Sequence, residues 1–331
     1  MIQRRHSRGA IPMLDPQKTD MKKDTILVTA PKIHAEATEL LKDYRLIFTE
    51  AAITEDELVK ICAAEQPVAI LARYGLFNER VLAASPRLKV ISRHGVGMDL
   101  IDQVAARRLG VAVEAALGSN SQAVAEHAIG LMFACARKLA WLDHRMRQAH
   151  WDKDGYLGME LAGATLGVIG CGSIGSRVVN IAKGIGMAVL VCDPYLAPES
   201  FPAAVTPVDL ETLLTRSDVV SLHCPLNDET RNMLDTEKLE LIKNDAIVIN
   251  TARAGLFDEA AMQAKLHQGT ISLGLDCFVD EPLGPDSAWL TTPNSVLTPH
   301  VGGTTDGGMK GMGVGAARNI LKHLEVAAMR A

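Results

Sequence analysis

Gly170-Cys171-Gly172-Ser173-Ile174-Gly175 has the form GxGxxG, directly behind the apolar run Leu166-Gly167-Val168-Ile169 and ahead of a helical stretch from Ser176 to Lys183. Alone, the pattern also fits a glycine-rich surface turn. Set between a strand and a helix, it suits phosphate chemistry. Glycine at 170 permits the tight turn, at 172 it lets the backbone approach a diphosphate, and at 175 it lets helix and strand pack closely. The unpaired N–H groups and positive end of the helix would stabilise the phosphates. Asp193 ends the next apolar run, Met187 to Cys192, where an acid would meet the ribose hydroxyls. A carboxylate there repels the 2′-phosphate of NADP, and Pro194 and Tyr195 bring no offsetting cation. The expected cofactor is therefore NAD.

Further charged residues follow strand-like runs. Arg253 comes just after Val248-Ile249-Asn250-Thr251-Ala252. Asp276 and Glu281 follow Ile271 to Leu275, and His300 follows Val296-Leu297-Thr298-Pro299. Taken singly, such an arginine suits a surface cation and such a histidine a turn. In open α/β sheets, however, the carboxyl ends of the strands face the ligand crevice. Arg253, Glu281 and His300 then converge where a nicotinamide would lie.

The elements that must position these groups form two series of short strands alternating with helical segments. The first runs through Ile26–Val28, Leu46–Phe48, Val68–Leu71, Leu88–Ile91 and Val111–Val113. Its helical segments include Ile33 to Leu41 and Thr54 to Cys62, the latter opened by a Thr54/Glu57 capping box. One long helix is expected from Ser121 to Arg147, with Gly130 inside it as a point of kinking or close contact. A loop with Trp151 and Gly158 follows. The second series has six strands, from Thr165–Ile169 to Val296–Leu297, the number that two mononucleotide-binding halves require. A last helix is expected from Val314 to Ala331. Alternating strands and helices imply parallel sheets.

The 331 residues suffice for two domains, and 48% hydrophobic with 22% charged residues is ordinary globular composition. A net charge of −5 and 4% aromatics argue against nucleic acid as a partner. Cys62, Cys135, Cys171, Cys192, Cys224 and Cys277 form no CxxC pair, so neither a metal site nor a disulfide framework is expected. Residues 1–23 are polar and basic and read as an extension outside the fold. With no membrane-spanning apolar run and no signal-peptide core, the expected location is cytoplasmic.

From about Lys23 onward the sequence resembles the D-isomer-specific 2-hydroxyacid dehydrogenases. The resemblance rests on Gly95-Val96-Gly97-Met98-Asp99, Asn120 to His127, the glycine turn, His223-Cys224-Pro225-Leu226, Asn250 to Gly255, Asp276 to Pro282 and Pro299 to Gly303. It implies two doubly wound α/β domains. A flavodoxin-like substrate domain would comprise residues 24–119 and 303–331, and a Rossmann NAD-binding domain residues 120–302. It implies Arg253, Glu281 and His300 as catalytic residues. Cofactor contacts are implied for Gly170, Gly172, Ser173, Ile174, Gly175, Asp193, Cys224, Thr251, Ala252, Arg253, Asp276, His300 and Gly302. Arg253 would grip the substrate carboxylate and 2-oxygen, with the N–H groups of Gly95, Val96 and Gly97 as a nest for the same carboxylate. His300 would exchange a proton with the 2-oxygen while Glu281 favours its charged form. The long helix and Trp151 loop would build a homodimer interface.

Leu100 departs from the asparagine frequent in the family, which bears on loop shape and substrate identity. Formate or phosphite dehydrogenases share the fold, but Glu281 stands where formate dehydrogenases carry glutamine. A corepressor on this fold that senses NAD without turnover is the rival reading from outside enzymology. Arg73, Tyr74, Arg93 and His94 flank the substrate loop, either to admit a second anionic group or as solvated surface cations.

Overall fold

The computed structural model describes residues 23–330, with side chains to residue 325. The expected extension over residues 1–23 lies outside the described residues, apart from Lys23. Five short strands form the first sheet: β1 (Thr25–Val28), β2 (Arg45–Phe48), β3 (Ala69–Ala72), β4 (Val90–Arg93) and β5 (Ala112–Ala115). All are parallel, in the order β2-β1-β3-β4-β5, the flavodoxin-like arrangement. Strands β1 and β3 are buried along their whole length because helices cover both faces. The connecting helices are α1 (Ala35–Leu40), α2 (Glu55–Glu65), α3 (Glu79–Ala83) and α4 (Gln103–Arg108). Helix α2 starts at the expected capping box, with Thr54 accepting from Glu57 N and Glu57 accepting from Thr54 N.

The chain then crosses to helices α5 (Ser121–Ala136) and α6 (Leu139–Arg147). These replace the single helix expected over 121–147. Helix α5 runs unbroken through Gly130, where an added Cβ would meet nothing within 4 Å. The break comes at Lys138, whose φ of 48° is left-handed. Two carbonyls at the end of α5 find partners outside the helix: Tyr156 donates to Arg137 O at 2.7 Å and Met159 N to Ala136 O at 2.9 Å. Satisfied carbonyls let the chain leave the helix without glycine or proline.

The second sheet has seven strands: β6 (Thr165–Ile169), β7 (Ala188–Cys192), β8 (Thr206–Pro207), β9 (Val219–Leu222), β10 (Ala246–Asn250), β11 (Ile271–Leu275) and β12 (Ser295–Leu297). They run parallel in the order β12-β11-β10-β9-β6-β7-β8. This is the dinucleotide-binding winding with one more strand than expected, the two-residue edge strand β8. Helices α7 (Gly175–Ile185), α8 (Leu210–Arg216), α9 (Thr236–Glu240) and α10 (Glu259–Gln268) cover it together with α5. Ala128, Leu131, Met132 and Cys135 of α5 join Leu166, Val168 and Ile249 in one core layer.

The final helix, α11 (Asp306–Arg330), begins eight residues before the expected Val314 and returns to the first sheet. There Val314, Ala316, Ala317, Ile320 and Leu324 pack with Ile26, Val28, Leu71 and Val90. Among the described residues, no helix is long and apolar enough to cross a membrane.

Candidate active site

Both sheets present their carboxyl strand ends to the residues singled out above. Strand order in the second sheet reverses between β6 and β9, and a crevice opens at such a point. The glycine turn lies there. Gly170 has φ of 87°, and a Cβ on it would come within 2.7 Å of Cys224 N, so the loop after β9 crosses in direct contact. At Gly175 a Cβ would stand 2.1 Å from Gly170 O, whereas at Gly172 it would meet nothing within 4 Å.

Helix α7 starts after Ile174 with no side-chain cap; Ser176 N and Arg177 N donate to Gly172 O and Ile174 O, so an anion would be met by the amides of the turn itself and of Gly175. Asp193 directly follows β7 and is tied to the turn, its Oδ2 accepting from Cys171 N at 2.8 Å and its Oδ1 from Tyr195 N at 3.1 Å. Ser173 pairs with Ser121 of α5 at 2.8 Å. Thr251 Oγ1 and His223 Nδ1 are buried without a protein partner among the described residues. An open glycine, an uncapped helix start, an anchored acid and orphaned polar atoms fit a dinucleotide. Burial pushes the Cys171 and Cys224 thiols up to about 11, so both are neutral wall groups.

Arg253 follows β10, in a turn shaped by the fully buried Asn250. The Asn250 amide accepts from Ala252 N at 3.0 Å and donates to Arg253 O at 2.8 Å. The Arg253 side chain reaches the other sheet. Its Nε donates to Asp99 Oδ2 at 2.8 Å, Nη2 stands 2.8 Å from the same oxygen, and Nη1 donates to Ala252 O at 2.6 Å. The guanidinium lies against Gly97, where a Cβ would sit 1.8 Å from Nη2. Burial raises the Asp99 carboxyl, but the hydrogen bond and charge of Arg253, with a smaller contribution from Arg93, hold it below the usual carboxylate range.

The loop after β4 is braced by Arg93. Its guanidinium donates to Gly97 O and Ala72 O, both at 2.9 Å, and to Arg73 O. Burial, with the charge of Arg253, pushes Arg93 down to about 10. His94 is also buried, and burial with the Arg73 charge lowers it to about 4. Solvated surface cations therefore do not describe Arg93 or His94. Arg73 lies over the Tyr74 ring at 5.1 Å. Within the expected carboxylate nest, Gly95 donates its N–H to Arg93 O at 3.0 Å. The amides of Val96 and Gly97 are what remains for a ligand.

His300, in the loop after β12, meets Glu281 from the loop after β11. Its Nδ1 lies 2.7 and 2.9 Å from the two carboxylate oxygens. Burial raises Glu281, but hydrogen bonds from His300 and from Phe278 N outweigh it and keep the carboxyl below its ordinary range. His300 holds a left-handed φ of 52°, a strained position for a residue with a side chain. Asp276 secures that loop, accepting from Val301 N at 2.9 Å, Gly302 N at 2.8 Å and Thr298 Oγ1 at 2.6 Å. His127 of α5 joins Thr298 at 2.9 Å and Asp276 at 3.3 Å. Asp276 thus acts first as a brace. No hydrogen bond joins Arg253 to the His300–Glu281 pair.

Three residues outside the sequence-derived set belong to this framework: Asp99, Asn250 and His127. Asp99 and His127 lie within motif segments, yet no spacing rule points Asp99 at a partner in a different sheet. Asn250 carried a usable signal, a polar residue ending an apolar strand.

A family model described as D-isomer specific 2-hydroxyacid dehydrogenase, NAD binding domain, matches residues 129–302. The hydroxypyruvate reductase of Thermotoga maritima is 36% identical over 295 residues, covering 88% of this chain and 95% of that protein. The D-3-phosphoglycerate dehydrogenase of Methanocaldococcus jannaschii is 38% identical over 304 residues, covering 90% of this chain. The match spans only 57% of that longer relative. The structure of D-lactate dehydrogenase from Aquifex aeolicus, complexed with NAD and lactic acid, aligns with a TM-score of 0.79 at 29% identity. That alignment covers 92% of this chain and 97% of the other.

Proposed function

Because the chain belongs to the D-isomer-specific 2-hydroxyacid dehydrogenase family, we propose that it moves a hydride between NAD(H) and the 2-position of a small D-2-hydroxy or 2-oxo acid. Arg253, Glu281 and His300 are the proposed catalytic residues. The observation that carries this reading is the contact of His300 Nδ1 with both oxygens of Glu281. With Nδ1 turned to the carboxylate, Nε2 is the ring atom left to exchange a proton with the substrate 2-oxygen. Bound NADH would supply the hydride. In reduction His300 Nε2 gives its proton to the 2-oxygen, and in oxidation it takes that proton back. Arg253 offers N–H groups on both Nη atoms to the carboxylate and 2-oxygen, beside the amides of Val96 and Gly97. The cofactor would lie along Gly170, Gly172, Ser173, Ile174 and Gly175, with Asp193 at the ribose. Cys224, Thr251, Ala252, Asp276 and Gly302 would line the remainder.

Residues 24–119 with 303–331 are the proposed substrate domain, and 120–302 the cofactor domain, with cytoplasmic placement part of the same proposal. Packing of α11 on β3, β4 and β5 supports the division. A second copy of this chain is the proposed partner of α6 and the following loop. This region exposes Leu139, Trp141, Met146, Trp151 and Leu157, with Trp151 at 76% and Leu157 at 86%. Sedimentation should report a dimer, and Trp151→Glu should weaken it. The names of the relatives point to hydroxypyruvate/glycerate or 3-phosphoglycerate as substrates. Following NADH oxidation across a panel of 2-oxo acids tests the activity. NADH binding without turnover on any member would replace this proposal with a sensing role.

A further inference from the structure

Asp99 reaches across from the loop after β4 to Arg253, which belongs to the loop after β10. Both the Nε and Nη2 contacts go to a single oxygen, Oδ2. On the other side of the guanidinium, Nη1 donates to Ala252 O. A guanidinium carries five N–H donors in one rigid plane. Fixing its Nε edge to Asp99 and one Nη1 hydrogen to Ala252 sets the orientation of that plane and leaves N–H groups on both Nη atoms. Gly97 completes the clasp, since its missing Cβ is what admits Nη2. The remaining N–H groups are thereby presented beside the Val96 and Gly97 amides.

We infer that Asp99 is a positioning residue: it orients Arg253 so that its Nη atoms face the substrate carboxylate and 2-oxygen. The inference rests on the proposed role of Arg253. It is distinct from a competing possibility in the same geometry, that the Asp99 carboxylate merely occupies the place of the substrate carboxylate. The two make opposite predictions. Removing a positioning residue weakens substrate binding, and removing a competitor strengthens it.

The test compares the unmutated protein with Asp99→Ala and Asp99→Asn. Kinetics with NADH and the best 2-oxo acid are measured beside calorimetric binding of oxamate, an unreactive 2-oxo acid analogue, to the NADH complex. Because one oxygen takes both contacts, asparagine can keep the geometry while losing the charge. Asp99→Ala should raise the KM and the oxamate Kd roughly 10–100-fold, the range for a lost charge-assisted hydrogen bond, and lower kcat. Asp99→Asn should recover most of the loss. NADH affinity and the melting temperature should stay near the unmutated values in both. Tighter oxamate binding by Asp99→Ala, unaltered kinetics in both variants, or equal impairment of both would overturn the inference. Equal impairment would mean that charge, and not geometry, is what Asp99 supplies. The oxamate measurement needs no turnover, so a protein that binds oxamate through Asp99 but reduces nothing would sink the proposed activity alone.

Discussion

Gly172→Ala and Gly175→Ala each add one methyl to the same turn, with opposite expected consequences. At 175 the new Cβ would stand 2.1 Å from Gly170 O, 3.1 Å from Gly170 C and 3.3 Å from Val168 Cγ1. Two of those atoms are backbone and cannot swing aside, so α7 must withdraw from β6. Overpacking of this kind costs about 1–3 kcal/mol. At ~2–4 °C per kcal/mol for a folding unit of this size, the melting temperature should fall by roughly 2–12 °C. At 172 no atom lies within 4 Å of the new Cβ, so stability without cofactor should change by less than about 0.5 kcal/mol. The same methyl, however, thickens the backbone that a diphosphate must approach, and NADH affinity should fall roughly 10–100-fold. Thermal melts with and without NADH separate the two effects. NADH at 100 times Kd adds about 2.7 kcal/mol to the unmutated protein, and about 0.4 kcal/mol if Kd has risen 100-fold. A Gly172→Ala protein that keeps the full NADH-induced shift would refute a diphosphate on this turn. A Gly175→Ala protein that melts like the unmutated one would refute the close-packing account.

Gly97→Ala should leave the melting temperature nearly unchanged, because its Cβ meets the flexible end of Arg253; the KM for the 2-oxo acid should rise about tenfold or more as the guanidinium is pushed out. Asp193→Ala should narrow a strong preference for NADH over NADPH, and equal kcat/KM for both cofactors in the unmutated protein would remove Asp193 from the ribose site. His300→Ala should lower turnover on the order of 10²–10⁴-fold with NADH still binding by fluorescence quenching. Glu281→Gln should lower turnover about tenfold or more, because an amide offers one acceptor oxygen where two now hold His300 Nδ1 at 2.7 and 2.9 Å. Since the Glu281 carboxyl is depressed by His300 and Phe278 N, the stabilisation from its charged form is complete above ~4.3 and lost only as pH falls below that. Unchanged turnover in the Gln variant would disprove the pairing.

The glycine turn, Asp193 and the strand-end residues were readable because each requirement is local: a φ, a missing Cβ or an acid at a strand terminus. Elements were legible where apolar runs or caps are unambiguous, as at Thr54 and Glu57. Strand β8 was not, since two exposed residues, Thr206 and Pro207, carry no periodicity. The break at Lys138 was hidden because its cause lies in partners about twenty residues on, Tyr156 and Met159. The start of α11 was obscured by Gly307, Gly308, Gly311 and Gly313, which favour a loop by propensity. Packing overrides that preference, for a Cβ at 311 would lie 2.4 Å from Ser119 O and one at 308 would lie 2.3 Å from Gly303 O. Asp99 illustrates the remaining gap. Its partner is distant in the chain, so only the tertiary arrangement could reveal it.

The return of α11 to the first sheet also dictates an order of events during translation. Strands β1 to β5 leave the ribosome first, but the apolar layer formed by Ile26, Val28, Leu71 and Val90 has only Ala37 and Leu41 from the α1 region as cover until Val314 to Leu324 follow. Roughly 190 residues separate β5 from α11, about 10–40 s of synthesis at ordinary elongation rates. Throughout that interval the nascent sheet carries a partly uncovered hydrophobic face, while residues 120–302 emerge with every strand of their own sheet already in hand. The middle of the polypeptide can therefore mature before its beginning, and a chain halted ahead of α11 should be a ready client for a chaperone.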